Sequence, residues 1–195
     1  MRRQLAALLS LFLIVTAAVG ARSSPGQRPR LSPRDTIHAT IDGATISIEY
    51  GRPYKKGRVI WGGLVPWTRW WMPGADEASS ITTDATLVFA GSLSMPAGVH
   101  TIYTQPSETD FKLIISKETG QFHTQYHPNL DLGRVSMTLT KLAEPVEQLT
   151  FAVKPRETGG GMFTLTWDDR EYSVPFVVKK GPEVAARPAT PVPLR

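Results

Sequence analysis

The chain has 195 residues, 41% of them apolar and 20% charged, which allows one domain with a real core and excludes a disordered chain. It has no cysteine, so neither disulfides nor a lipidated N-terminal Cys are available to it. The formal net charge of +5 sits mainly at the ends: residues 36–180 hold 14 of the 22 Lys/Arg and 15 of the 17 Asp/Glu, and so near-neutral a body offers no basic face for nucleic acid.

The N-terminus reads as a signal peptide over residues 1–21. Arg2 and Arg3 open it, residues 5–19 are almost wholly apolar, and Ala17, Ala18, Gly20 and Ala21 supply the small-residue zone that a signal peptidase needs. Cleavage is expected after Ala21, within Val19-Gly20-Ala21. An uncleaved anchor is the alternative, but the apolar run is shorter than the ~20 residues needed to span a bilayer. No further run of that length follows, so the mature chain is expected to be exported, periplasmic or extracellular, without a membrane span. Residues 22–33, rich in Ser, Pro, Gly and Arg, read as a disordered linker, and residues 181–195, with four prolines, as a disordered tail.

Between these ends, residues 34–180 alternate with period two. Ile37, Ala39 and Ile41 share one side of a run that Asp42-Gly43 joins to Ile46, Ile48 and Tyr50, a strong hairpin signal because a type I′ turn needs positive φ at both central positions. Further strands are expected over residues 86–90, 99–104, 111–116, 135–140, 149–153, 163–167 and 172–178, the last as an edge strand because it carries Pro175. About nine short strands with Gly/Pro turns and no helical period predict an all-β, antiparallel, jelly-roll-like sandwich.

Residues 51–79 break the alternation. Four of the five tryptophans, Trp61, Trp67, Trp70 and Trp71, fall within eleven residues, flanked by Arg52, Arg58, Asp76 and Glu77. A loop this long inside a compact domain is either functional or needs strong tethers. The five candidate residues are therefore Arg52, Arg58, Trp71, Asp76 and Glu77, as a ligand-binding cluster or as a structural salt-bridge network. If they are structural, Arg52 or Arg58 should contact Asp76 or Glu77, directly or through loop carbonyls, and Arg58→Ala or Glu77→Ala should lower the melting temperature markedly. Asp76 and Glu77 are adjacent and would point to opposite sides of an extended chain, which disfavours a close catalytic dyad. The tryptophans suit either a sugar-stacking platform or a plug closing one end of the sandwich.

Other chemistry is thin. His123 and His127 are four apart, yet with four histidines, no Cys and Pro128 following His127, no metal site is read. No Gly-x-Ser-x-Gly elbow occurs, and Gly159-Gly160-Gly161 lacks the Lys of a phosphate loop. No cofactor is indicated.

Several short motifs in consistent order over residues 32–180 resemble a bacterial exported family known as domain of unknown function 2911. They are Tyr50-Gly51-Arg52-Pro53, Lys56-Gly57-Arg58, Gly62-Gly63-Leu64-Val65-Pro66, Trp71 with Gly74-Ala75-Asp76-Glu77-Ala78, Pro96-Ala97-Gly98, Thr119-Gly120-Gln121, Asp131-Leu132-Gly133-Arg134 and Pro145-Val146-Glu147-Gln148. Two positions depart from the family's usual pattern, where Asn often stands at Asp76 and Arg at Met72. The resemblance implies an exported β-rich domain and no reaction. The sequence thus leaves the function unknown. It favours a non-catalytic binding or structural envelope protein, and leaves the partner unknown, with a cell-surface polymer or envelope protein as the candidate. The alternatives are a secreted hydrolase-like enzyme using Glu77 or Asp76 and a carbohydrate-binding module using the tryptophans.

Overall fold

A computed structural model describes residues 31–179. The signal peptide, most of the linker and the proline-rich tail lie outside the described residues.

The hairpin forms as the sequence dictates. Strand β1 (Arg34–Ile41) pairs antiparallel with β2 (Ala44–Gly51), and Asp42 and Gly43 between them take φ of 49° and 84°. Along β2, Ile46, Ile48 and Tyr50 are buried while Thr45 and Glu49 face solvent. Eight further strands follow: β3 (Ser80–Thr83), β4 (Thr86–Phe89), β5 (Leu93–Met95), β6 (Gly98–Gln105), β7 (Lys112–Ser116), β8 (Asp131–Ser136), β9 (Thr138–Pro155) and β10 (Gly161–Lys179). A 3₁₀ turn, Pro128–Leu130, is the one helical element among the described residues.

All ladders are antiparallel and form two sheets, β1-β2-β3-β6-β7-β8 and β5-β4-β10-β9. The core lies between them, with Ile48, Ile81, Ile102 and Leu113 from the first sheet meeting Phe89, Phe151, Phe163 and Phe176 from the second. Burying each such side chain contributes roughly 1.5–3 kcal/mol, which suffices for a chain without disulfides. The fold is an antiparallel β-sandwich of ten strands.

The strand boundaries differ from the sequence pattern in ways the topology explains. The alternating run 135–140 is not one strand: Met137 is the crossing point from β8 in one sheet to β9 in the other, its N–H donating to Phe111 O at 2.8 Å. The runs 163–167 and 172–178 are one strand, β10, with register shifts on either side of Asp168, which takes φ of 52°. The strand carrying Pro175 is interior rather than an edge. The Pro175 carbonyl accepts from Ala90 N at 2.8 Å, one step past the last β4–β10 pair at Phe89–Phe176. The missing proline N–H therefore falls where the ladder ends, and costs no interior bond.

Candidate functional site

Residues 52–79 leave β2 and return at β3, and backbone bonds tether them along their length. The Lys55 N–H donates to Glu147 O at 2.7 Å and the Lys56 N–H to the Glu147 carboxylate at 2.8 Å. The Leu149 N–H donates to Pro53 O at 3.1 Å. Trp71 exchanges two backbone bonds of 2.8 Å with Thr104 on β6. The family motif around Glu147 is thus a clasp for the start of the loop.

The tryptophans divide between two apolar clusters. Trp61 is buried in the main core, edge-on to Phe111 and Tyr172, and its indole N–H donates to Trp167 O at 3.2 Å. Trp67 stacks on Trp61 and lies under the Arg170 guanidinium, 4.8 Å from the ring centre. Trp71 stacks on Trp167 with centroids 6.1 Å apart. Trp70 joins a second cluster of Met72, Ala78, Tyr103 and Ile114. Met72 is 2% exposed there, so a long cation at that position would need a different local packing.

The five candidate residues do not form one cluster. Arg52 turns toward β1 and β9: it pairs with Asp35 at 3.1 Å and donates to Leu149 O at 3.2 Å and Thr150 Oγ1 at 3.0 Å. Arg58 curls back onto its own loop, donating from Nε to Lys55 O at 3.0 Å and from Nη2 to Tyr54 O. Glu77 accepts from Arg34 at 3.2 Å, and Arg34 also holds Glu49 at 2.5 Å. Asp76 takes φ of 65°, and its backbone carbonyl receives both the His123 N–H at 3.1 Å and the His123 ring at 2.7 Å. Because a carbonyl only accepts, the His123 Nδ1 carries the proton. Asp and Asn both tolerate this left-handed conformation, so either residue fits the backbone at this position. Arg52, Arg58, Asp76 and Glu77 thus each have different partners, because sequence proximity to the tryptophans does not fix side-chain direction.

What the loop encloses is a cavity of about 710 Å³ between its inner face and the end of the sandwich. Its apolar wall includes Trp70, Trp71, Trp167, Leu64, Pro66 and Met72. Its charged side chains are Lys56, Arg58 and Arg69, with His123 beside them, and no Asp or Glu is among the described residues lining it. Of the five candidates, only Arg58 and Trp71 reach it. Arg69, His123 and Trp167 were not singled out as a site in the sequence. The one available signal was a lone arginine set against Trp70-Trp71.

A second, smaller cavity of about 390 Å³ lies on the other side of the loop, with Lys55, Asp168, Asp169 and Arg170 in its wall. These charges neutralise one another and Lys141: Lys55 pairs with Asp168, Lys141 with Asp169 at 2.6 Å, and Arg170 with Asp169 at 3.7 Å. Among the described residues no group of three or more His, Cys, Asp or Glu is placed to hold a metal ion, and no helix is long and apolar enough to cross a membrane.

Comparison with known proteins gives no curated relative and no solved structure that matches this chain. Residues 32–176 do match a family described as a protein of unknown function, DUF2911, and the chain belongs to that family.

Proposed function

We propose that this protein is an exported, non-catalytic binding domain whose ligand seats in the 710 Å³ cavity under the tryptophan-rich loop. The observation that carries the reading is the composition of that cavity: aromatic and cationic side chains with no carboxylate among its described residues. Hydrolysis of a glycosidic bond by the usual route needs two carboxyl groups flanking the bond. Asp76 and Glu77 do not line the cavity, Glu77 is engaged with Arg34, and Asp76 contributes a backbone carbonyl. The volume lies within the ~300–1,000 Å³ of small-molecule sites. Trp61 belongs to the buried core, so a carbohydrate platform built on all four loop tryptophans is not favoured.

Two experiments test this. The full chain is titrated with two fluorescent ring compounds, N-phenyl-1-naphthylamine and its sulfonated analogue 1-anilinonaphthalene-8-sulfonate. One molecule of at least one probe should bind, and Thr124→Trp, which adds bulk at an exposed rim position, should weaken binding about tenfold without lowering the melting temperature. Failure of both probes to bind, or unchanged affinity in that variant, rejects the cavity as the site. Export is tested by N-terminal sequencing of protein recovered outside the cytoplasm of a bacterial host: the first residue should be Arg22, and a chain retaining Leu8 to Val15 would mean an anchor.

A further inference from the structure

We infer that the cavity selects a small organic anion, one negative group attached to a flat apolar ring, as in an aryl carboxylate or sulfonate. The inference rests on the reading of this cavity as the ligand site and adds the class of ligand.

The charge distribution points there. Seven of the described Lys and Arg side chains pair with carboxylates: Arg34, Arg52, Lys55, Lys112, Arg134, Lys141 and Arg170. Seven do not, and three of these, Lys56, Arg58 and Arg69, meet at one cavity that holds no acid among its described residues. Unscreened positive charge in a cleft with low-dielectric walls concentrates the opposite charge there. The Glu147 carboxylate comes nearest in bonding terms, yet it accepts from the Lys56 backbone and does not line the cavity.

Arg58 is also prepared for an anion. Two of its five N–H groups are fixed by the carbonyls of Lys55 and Tyr54, which orients the guanidinium plane and leaves three donors for a ligand. Arg69 is exposed and makes no hydrogen bond or ion pair with any described residue, so its charge is uncommitted. Facing these cations is an aromatic wall in which Trp71 already stacks on Trp167 with 16° between the planes. A ligand ring can extend that stack while its anionic group meets the guanidinium groups.

The matched probes decide it, because they share one ring system and differ by the sulfonate. The sulfonated probe should bind about tenfold more tightly than the neutral one, and its advantage should shrink in 0.5 M NaCl. Arg69→Gln should weaken the sulfonated probe about fivefold and Lys56→Gln/Arg69→Gln further, with the neutral probe unchanged in both. Lys154→Gln, an exposed cation on β9 away from the cavity, should change neither. Arg69 has no hydrogen bond or ion pair with a described residue to lose, so a fall in affinity with an unchanged melting temperature reports charge and not folding. Equal affinity for the two probes, or parental affinity for the sulfonated probe in the double variant, overturns the anion inference and leaves the cavity reading standing. If neither probe binds, it is the cavity reading that fails.

Discussion

Asp76, Glu77 and His100 each show how far residue type predicts role. The sequence marks Asp76 as an acid beside tryptophans, yet its function in the fold is conformational, since φ of 65° aims its carbonyl at His123. Asp76→Asn should therefore change stability by less than about 0.5 kcal/mol, whereas Asp76→Val forces a β-branched residue into the left-handed region and should cost about 1–3 kcal/mol in chemical denaturation. Equal losses in the two variants would show that the carboxylate, not the backbone, matters. Glu77 was expected to anchor the loop strongly, as a buried pair would. Its side chain is 47% exposed and that of Arg34 25%, and so open a pair is worth at most about 1 kcal/mol. Thermal melts of Glu77→Ala should show a small decrease, and a large one would mean that Glu77 carries more of the fold than its pair with Arg34. His100, on β6, is buried with its Nδ1 unpartnered, and burial pushes its pKa below the ordinary value, outweighing the opposing influence of the nearby Gly98 backbone. The unfolded chain then binds more protons than the folded one as pH falls through the ordinary histidine range near 6.5, so stability should fall on acidification from about pH 7 to 5. Urea denaturation of His100→Gln should be flatter over that window, and an equal slope would assign the dependence to other groups.

At the scale of elements, alternation reports which residues face inward but not which sheet they belong to. The β1–β2 hairpin was legible because period two and Asp42-Gly43 agree. Strands β3 and β5, four and three residues long, are too short for a period to appear. The run 135–140 changes sheets at Met137 and its inward alternation ends there, since Val135 and Met137 are buried but Leu139 is exposed, and β10 kept its identity through an irregularity at Asp168 that reads as a turn. The loop's clasp was hidden for another reason: apart from the Glu147 carboxylate that accepts from the Lys56 N–H, it is made of main-chain groups of Glu147 and Leu149, about which side-chain chemistry says nothing. One glycine carries a large part of the loop's placement. A Cβ on Gly51 would lie 2.4 Å from Ala75 O and 2.9 Å from Ala75 N, both main-chain atoms. Gly51→Ala should thus push the 73–78 segment off the end of β2 and cost about 1–3 kcal/mol by overpacking, with the Trp71 environment disturbed. Parental stability and parental tryptophan emission in this variant would mean that the segment can shift freely.

For the molecule as a whole, the question is whether the long loop is a separate unit draped on a sandwich or part of its core. Ordering its residues costs roughly 1–2 kcal/mol each in backbone entropy, and no disulfide limits the unfolded chain. What offsets that cost is continuity of packing: Ile60, Trp61 and Val65 are in the same buried cluster as the inter-sheet phenylalanines, and Trp71 and Trp67 pack against it. The loop therefore has no core of its own that could survive loss of the sandwich, and the open end of the sandwich would expose Tyr172, Phe111 and Trp167 without the loop. All five tryptophans lie in the loop or against it, so intrinsic fluorescence reports the loop while far-UV circular dichroism reports the strands. Thermal or urea unfolding followed by the two signals should give superimposable transitions with one midpoint, as a single cooperative unit requires. A fluorescence transition that precedes the loss of strand signal would make the loop an independently opening segment. In that case the cavity beneath it would exist only while the loop is closed, and ligand affinity would fall with the loop's own midpoint and not with that of the sandwich.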